Sequence, residues 1–371
     1  MKITGLKCYP LRAPIEGDHG TGREAWSEVT ILVVKLETDA GIVGWGEGYC
    51  RYVPGVYAKL VDELLKPLVI GSDPFAVEAT WQKLFRAFTG RSGGMLPEAL
   101  AAIDIAIWDI IGKALGQPLY NVFGHAGRSS LIAYAAAIGW SDDAAAERQA
   151  RLALDLGFKQ IKVRLGKPVK AAIDRVRLVR KLVGPDIRLV ADANWVFDVG
   201  DALVVAKELE ALNYYWFEEP TIPENDSGYR ELARKCSIRI AGGESEHTSF
   251  GIAPLIADRT LTVVQPDVAR SSGITETRKI IALSRAFHTT YSPHIGFGGA
   301  ICAAASLHLA AAAANFESYE CMLYSSPLRD QLATGPVASC KTLKDGALPL
   351  PTGPGLGIEI DEKALAKYLS P

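Results

Sequence analysis

From about residue 130 onward, short apolar runs alternate with longer amphipathic segments. Apolar strand candidates fall at 130–138, 158–165, 187–194, 214–219, 238–244, 261–267, 288–294 and 315–321. Each gap between them is long enough for a helix. The first helix is predicted to run from Ser141, a good N-cap, to Gly157, which can take the left-handed C′ conformation. The next has Pro168 near its first turn and Gly184 past its end, the asymmetry expected of a helix. Apolar strands joined by helical crossovers imply a parallel sheet, and at this strand count closure into a barrel is the natural solution.

Residues 1–127 read differently. The N-terminal MKITGLKCYPLRAPI alternates like a strand, and 28–48 read as two strands around the turn Thr38-Asp39-Ala40-Gly41. Helical stretches follow near 56–69 and 74–89, then a strongly apolar helix from Pro97 to Leu115 that Gly116 and Pro118 end. Strands followed by helices suggest an α+β domain. The chain is therefore read as an α+β unit over 1–127, a barrel over 128–330, and a Pro/Gly-rich segment over 331–371 that packs back on the first unit.

Composition narrows the function class. Lys and Arg total 40 against 42 Asp and Glu, so no basic surplus is available for a nucleic-acid backbone. No apolar run approaches a membrane span, since Ala300–Ala314 is alanine-dominated and interrupted by His308. Cysteines at 8, 50, 236, 302, 321 and 340 form no CxxC pair and no zinc spacing, and read as reduced thiols of a cytoplasmic protein. No nucleic-acid or membrane partner is expected.

The informative acids stand at a nearly fixed pitch. Asp192, Glu218 and Glu244 are 26 residues apart, and Asp267, His294 and Glu320 follow at steps of 23, 27 and 26. Each is expected at the C-terminal end of a successive strand, the barrel face where active sites are built. Asp192, Glu218 and Glu244 would converge as hard oxygen ligands suited to Mg²⁺. A lone acid in such a place is more often a helix cap or a solvated loop charge. Three at the pitch of one βα unit are harder to explain that way.

Lys162 and Arg164 sit two apart on the preceding strand, so both cations face one side. That side is either the mouth or the outer surface, and helices should cover the latter. Asn194 repeats the same spacing after Asp192, as a polar contact for substrate. His294 and Asp267, on neighbouring strand ends, suit a base whose other ring nitrogen is held by a carboxylate. His19, His125, His247, His288 and His308 read as structural. Glu320 could donate a proton or pair with a cation, and Glu317 is a competitor on the opposite strand face. The run Gly296-Phe297-Gly298-Gly299 reads equally as a weak phosphate cradle, close backbone approach or flexibility. Together these parts suit proton abstraction beside a carboxylate, with cations stabilising an enediolate.

The ordered set Gly44-Trp45-Gly46-Glu47, Ala102–Gly124, Lys162-x-Arg164, Asp192-Ala193-Asn194, Trp216-Phe217-Glu218-Glu219-Pro220, Gly243-Glu244, Gln265-Pro266-Asp267 and Pro293-His294 resembles the enolase superfamily. The likeness is to its mandelate racemase/muconate lactonizing enzyme branch, and it covers nearly the whole chain. It implies an α/β fold, a modified (β/α)7β TIM-type barrel closed by an α+β capping domain. It also implies Mg²⁺ on Asp192, Glu218 and Glu244, a His294–Asp267 dyad, a late acid at Glu320, and a homo-oligomer. One position departs. The family commonly carries Lys-x-Lys, and arginine at 164 holds its proton too firmly to be a comfortable base. Lys162 matches the lysine that contacts the substrate carboxylate.

Losing one of two bases weakens racemisation. The resemblance therefore implies, in order, acid-sugar dehydratase, lactone cycloisomerase and racemase/epimerase. The expected partner is a small carboxylate, a sugar acid or its lactone. A metal-dependent binder without turnover is the non-enzyme alternative. The segments His19–Trp26 and Tyr49–Tyr52 could grip substrate hydroxyls or be ordinary connections.

Overall fold

The structure, a computed structural model, describes residues 1–88, 93–335 and 337–370, with the side chains of 16–19 outside it. The predicted helix end at 89 and the side chain of His19 thus lie outside the described residues. An antiparallel sheet opens the chain, with β1 (Ile3–Gly20), β2 (Ala25–Thr38) and β3 (Val43–Tyr49) in that order. The turn sits where predicted, Gly41 donating to the Thr38 carbonyl at 3.1 Å. The helix Met95–Ala114 lies against β3. It is apolar on nearly every side because it is buried between that sheet and the barrel. Contact is close enough that a Cβ on Gly46 would stand 1.7 Å from the Ala102 carbonyl oxygen. The period-two alternation of β3 then turns Trp45, Glu47 and Tyr49 to its other face.

The parallel sheet follows the predicted alternation. Its strands are β4 (Ser130–Ile138), β5 (Gln160–Arg164), β6 (Arg188–Asp192), β7 (Tyr214–Glu218), β8 (Arg239–Gly242), β9 (Val263–Val264), β10 (Thr290–Tyr291) and β11 (Tyr319–Met322). Neighbours in sequence pair from β4 to β10, and β11 pairs parallel with β4. Tyr291 bridges to Phe316 and accepts from Glu317 N at 2.8 Å, which closes the ring between β10 and β11. The helices between strands cover the outside. No helix among the described residues is long and apolar enough to cross a membrane, and the alanine-rich Ala300–Ala312 is buried.

Two local expectations shift. The first barrel helix is Asp143–Asp155, capped by Asp142, whose side chain accepts from Ala145 N at 2.7 Å. Ser141 stands one residue too early to reach that orphan amide. Strands β9 and β10 are far shorter than 261–267 and 288–294. Pro266 and Pro293 follow them closely, and a residue without an N–H cannot continue a ladder.

The C-terminal segment touches both parts of the molecule. Ala347–Pro349 pairs antiparallel with the start of β4. Arg12 N donates to the Tyr368 carbonyl at 2.9 Å, and Ser370 N to the Pro10 carbonyl at 2.8 Å.

Candidate active site

At the C-terminal ends of the strands, buried carboxylates surround one ammonium. Lys162 Nζ lies 2.6 Å from Glu218 Oε1, 2.6 Å from Glu320 Oε1 and 3.4 Å from Asp192 Oδ2. Ladder pairing aligns Arg164 with Asp192 and Asp192 with Glu218, so adjacent strands deliver these groups side by side. Burial opposes the lysine's charge, but Glu218, Glu320, Tyr134 and Asp192 outweigh it and hold Lys162 well above its ordinary value. These carboxylates thus hold it as a cation.

The acids respond in opposite directions. Burial, and repulsion from Asp192, Glu320 and Glu244, push Glu218 up to about 7 despite Lys162. Its Oε2 accepts from the Trp216 indole at 3.0 Å and the Gln265 amide at 2.9 Å. Glu244 is raised by burial and by Asp192 and Glu320, against His294 and Lys162. Glu320 is also buried, yet Lys162 and His294 overcome burial and hold it at about 2. Its Oε1 is paired with Lys162. Its Oε2 accepts from Ile295 N at 2.7 Å and Gly296 N at 3.2 Å. Glu317 lies elsewhere, bound to Arg188 at 2.8 Å and the Tyr215 hydroxyl at 2.9 Å.

Convergence of Asp192, Glu218 and Glu244 is therefore incomplete. Among the described residues, no three His, Cys, Asp or Glu groups are gathered closely enough to coordinate a metal ion. Lys162 lies among these carboxylates as their counter-ion. The set still has the chemistry of a hard-cation site. Asp192 Oδ2 is buried and hydrogen-bonded to no group among the described residues, with Lys162 Nζ at 3.4 Å, and burial together with repulsion among the acids raises Glu218 and Glu244.

The dyad is assembled. His294 Nδ1 lies 2.9 Å from Asp267 Oδ2, while Nε2 faces Glu244 Oε2 at 3.5 Å. Asp267 Oδ1 is held by Ala269 N at 2.9 Å. Burial disfavours the imidazolium, but Glu244, Glu320 and Asp267 outweigh it and raise His294 to about 10. Both residues stand on loops just beyond their strands.

Arg164 goes to the mouth rather than to the Lys162 cluster. Its guanidinium sits 4.5 Å from the Trp26 ring centroid and, among the described residues, forms no ion pair. Among the described residues, its Nε is buried without an acceptor. Asn194, at φ 45°, donates its backbone N–H to Asp192 Oδ1 at 2.9 Å, and its side-chain oxygen has no partner among the described residues. Trp26, Arg51, Tyr52 and Phe297 line a cleft of about 130 Å³ over this rim, with Trp26 and Phe297 edge to face at 4.4 Å. His308 and His125 are structural, bonded to the carbonyls of Leu356 and Arg128 at 3.0 and 2.8 Å.

Sequence reasoning passed over several groups that touch the site. Trp216 and Gln265 each stand two residues before Glu218 and Asp267, so period two was the available signal. Glu219 is buried and pushed up to about 8 by burial and by Glu244, while accepting from Gly243 N at 2.8 Å and the Trp195 indole at 2.8 Å. No pattern in the chain marks Trp195 or Tyr229 as its partners.

Comparison with known proteins places this geometry. Residues 7–124 match the model of the mandelate racemase / muconate lactonizing enzyme N-terminal domain, and 145–364 match the enolase C-terminal domain-like model. A D-galactarolactone cycloisomerase from Agrobacterium fabrum is 30% identical, with 100% of both chains covered. A D-galactonate dehydratase from Pectobacterium atrosepticum is 33% identical over 90% of this chain and 89% of that one. The crystal structure of a racemase from Streptomyces coelicolor with bound magnesium superposes with a TM-score of 0.90. It is 28% identical and covers 99% of this chain and 100% of that one.

Proposed function

Because the chain belongs to the mandelate racemase/muconate lactonizing enzyme branch of the enolase superfamily, we propose that it is a Mg²⁺-dependent acid-sugar dehydratase. The observation that carries this reading is the His294–Asp267 pair at 2.9 Å, turned toward the acid cluster, in a chain whose β5 carries Arg164 rather than a second lysine. Mg²⁺ held by Asp192, Glu218 and Glu244 would supply positive charge to an enediolate and offset the carboxylates that keep His294 protonated.

The chain's own residues then divide the work. Lys162, a buried cation, binds the substrate carboxylate. Neutral His294 removes the α-proton through Nε2, while Asp267 fixes the ring through Nδ1 and stabilises the imidazolium. The imidazolium returns that proton to the departing β-hydroxyl, which leaves as water. The resulting enol takes a solvent proton at the β-carbon and becomes a 2-keto acid. Arg164 serves the substrate as a cation or hydrogen-bond donor. Asn194 contributes a polar contact through its side-chain oxygen.

Lactone cycloisomerisation is the second reading. It needs the same proton abstraction followed by loss of a ring oxygen, and the Agrobacterium relative aligned end to end supports it. The test is a library of mono- and diacid sugars and their lactones with Mg²⁺, read for 2-keto acid and for α-proton exchange in D₂O. A 2-keto acid from an acid sugar is the expected result. Conversion of a lactone without release of water would favour cycloisomerisation. Binding without any exchange across the library would sink the enzyme reading in favour of a binder.

A further inference from the structure

Two buried carboxylates of the N-terminal domain each end in the first turn of a barrel helix. Glu47, on the face of β3 turned away from the Met95–Ala114 helix, accepts from Gly299 N at 2.6 Å and Cys302 N at 3.0 Å. These amides open the helix Ala300–Ala312. Asp104, on Met95–Ala114 itself, accepts from Thr275 N at 2.9 Å and the Thr275 hydroxyl at 2.5 Å. That amide belongs to the first turn of Gly273–Ala286. Orphan N–H groups and the helix dipole favour an anion at such a terminus.

The two helices are not arbitrary ones. Ala300–Ala312 follows the loop that carries His294, and Gly273–Ala286 follows the loop that carries Asp267. Neither has a side-chain cap of its own, whereas Asp142, Asp198 and Asn225 cap three other barrel helices from within the barrel. Glycine makes room for each incoming carboxylate. A Cβ on Gly299 would stand 2.9 Å from Glu47 Oε2, and one on Gly273 would stand 2.4 Å from Asp104 Oδ2.

The connection onward to the dyad is short. Cys302, whose amide Glu47 holds, places its Sγ 3.8 Å from Asp267 Oδ1. The residues between His294 and Gly299 are gripped at their other end by Glu320 and by the Tyr324 hydroxyl, which donates to the Gly296 carbonyl at 3.1 Å. Strands β9 and β10 are too short to orient these loops by ladder bonds.

We propose that Glu47 and Asp104 are positioning residues for the His294–Asp267 pair, so that the N-terminal domain sets the geometry of the base. The proposal rests on the functional reading above. Its test compares Glu47→Gln and Asp104→Asn with Leu65→Ala, a cavity variant in the core of the N-terminal domain. The readouts are kcat, KM and the ¹⁵N shifts of the His294 ring in substrate-free protein, assigned with His294→Asn.

Both carboxamide variants should lose at least tenfold in kcat with KM within threefold, and should shift the His294 ring signals. Leu65→Ala should lower thermal stability while keeping kcat and those signals. Equal kcat loss in Leu65→Ala, or unchanged kcat and ring shifts in the carboxamide variants, would overturn the proposal. Should Glu47→Gln fail to fold, Glu47→Asp keeps the charge and shortens the reach. A partial kcat loss there supports the role, and full activity refutes it. Wild-type protein inert toward every acid sugar, with ring signals that still move in Glu47→Gln, would refute the functional reading and support the positioning role.

Discussion

On one side of the barrel mouth, β5, β6 and β7 run five residues each and deliver Lys162, Asp192 and Glu218 from within the ladder. On the other, β9 and β10 contribute two residues each, and Asp267 and His294 stand on loops beyond them. The first side is fixed by backbone pairing and held together by charge. The second is fixed by hydrogen bonds from other parts of the chain, among them Glu320, Glu47 and Asp104. A barrel can thus place charge by strand register alone, while a base that must be aimed draws on contacts from outside its own strand.

Breaking the loop-borne side should cost most in rate. His294→Asn is expected to reduce kcat about 10³-fold, within the range for loss of a general base. α-Proton exchange in D₂O measures it, and exchange that survives this substitution would transfer the base role to Lys162.

Breaking the ladder-borne side should cost most in stability. Lys162→Met leaves Glu218, Glu320 and Asp192 buried without their cation, a loss of roughly 3–5 kcal/mol. The pH dependence should also steepen. In the wild type, Glu320 at about 2 lies below its ordinary 4.5, so its contribution is present above pH 4.5 and is lost as pH falls toward 2. Without Lys162, burial raises that carboxyl, and the variant should gain more stability than the wild type as pH falls from 8 to 5. Urea midpoints at both pH values decide it, and parallel slopes would contradict the electrostatic account.

Supplying a divalent cation should compensate the same acids more gently. Mg²⁺ at 100 times its dissociation constant is expected to stabilise by about 2.7 kcal/mol, and Glu244→Gln should weaken that response. Calorimetry with and without chelator measures it. The smallest effect is expected from Glu317→Gln, which loses a partly exposed pair with Arg188 worth at most about 1 kcal/mol. A large loss of kcat there would show that the two late glutamates had been assigned the wrong way round.

The charged residues nearest the ladder were legible because their pitch is the length of one βα unit, as with Asp192 and Glu218. Glu320 was legible as a position but not as a chemical state. Its pairing depends on Lys162, 158 residues away in sequence, coming within 2.6 Å. Arg164 was read as facing the same side as Lys162, yet its longer side chain ends against Trp26 of the other domain. Glu47 and Asp104 were visible only inside motifs. Their partners are backbone amides, which carry no residue-type signal.

The sequence by itself determined the alternation of strands and helices, the barrel, the family likeness and the order of acids around the mouth. Each follows from periodicity or from spacing along one chain, which local sterics and burial enforce. Tertiary structure alone decided which cation neutralises the acids, where the Arg164 side chain ends, and which domain holds the loops of the base. Those outcomes depend on distances between residues far apart in sequence, set by packing the N-terminal sheet and its helix against the barrel.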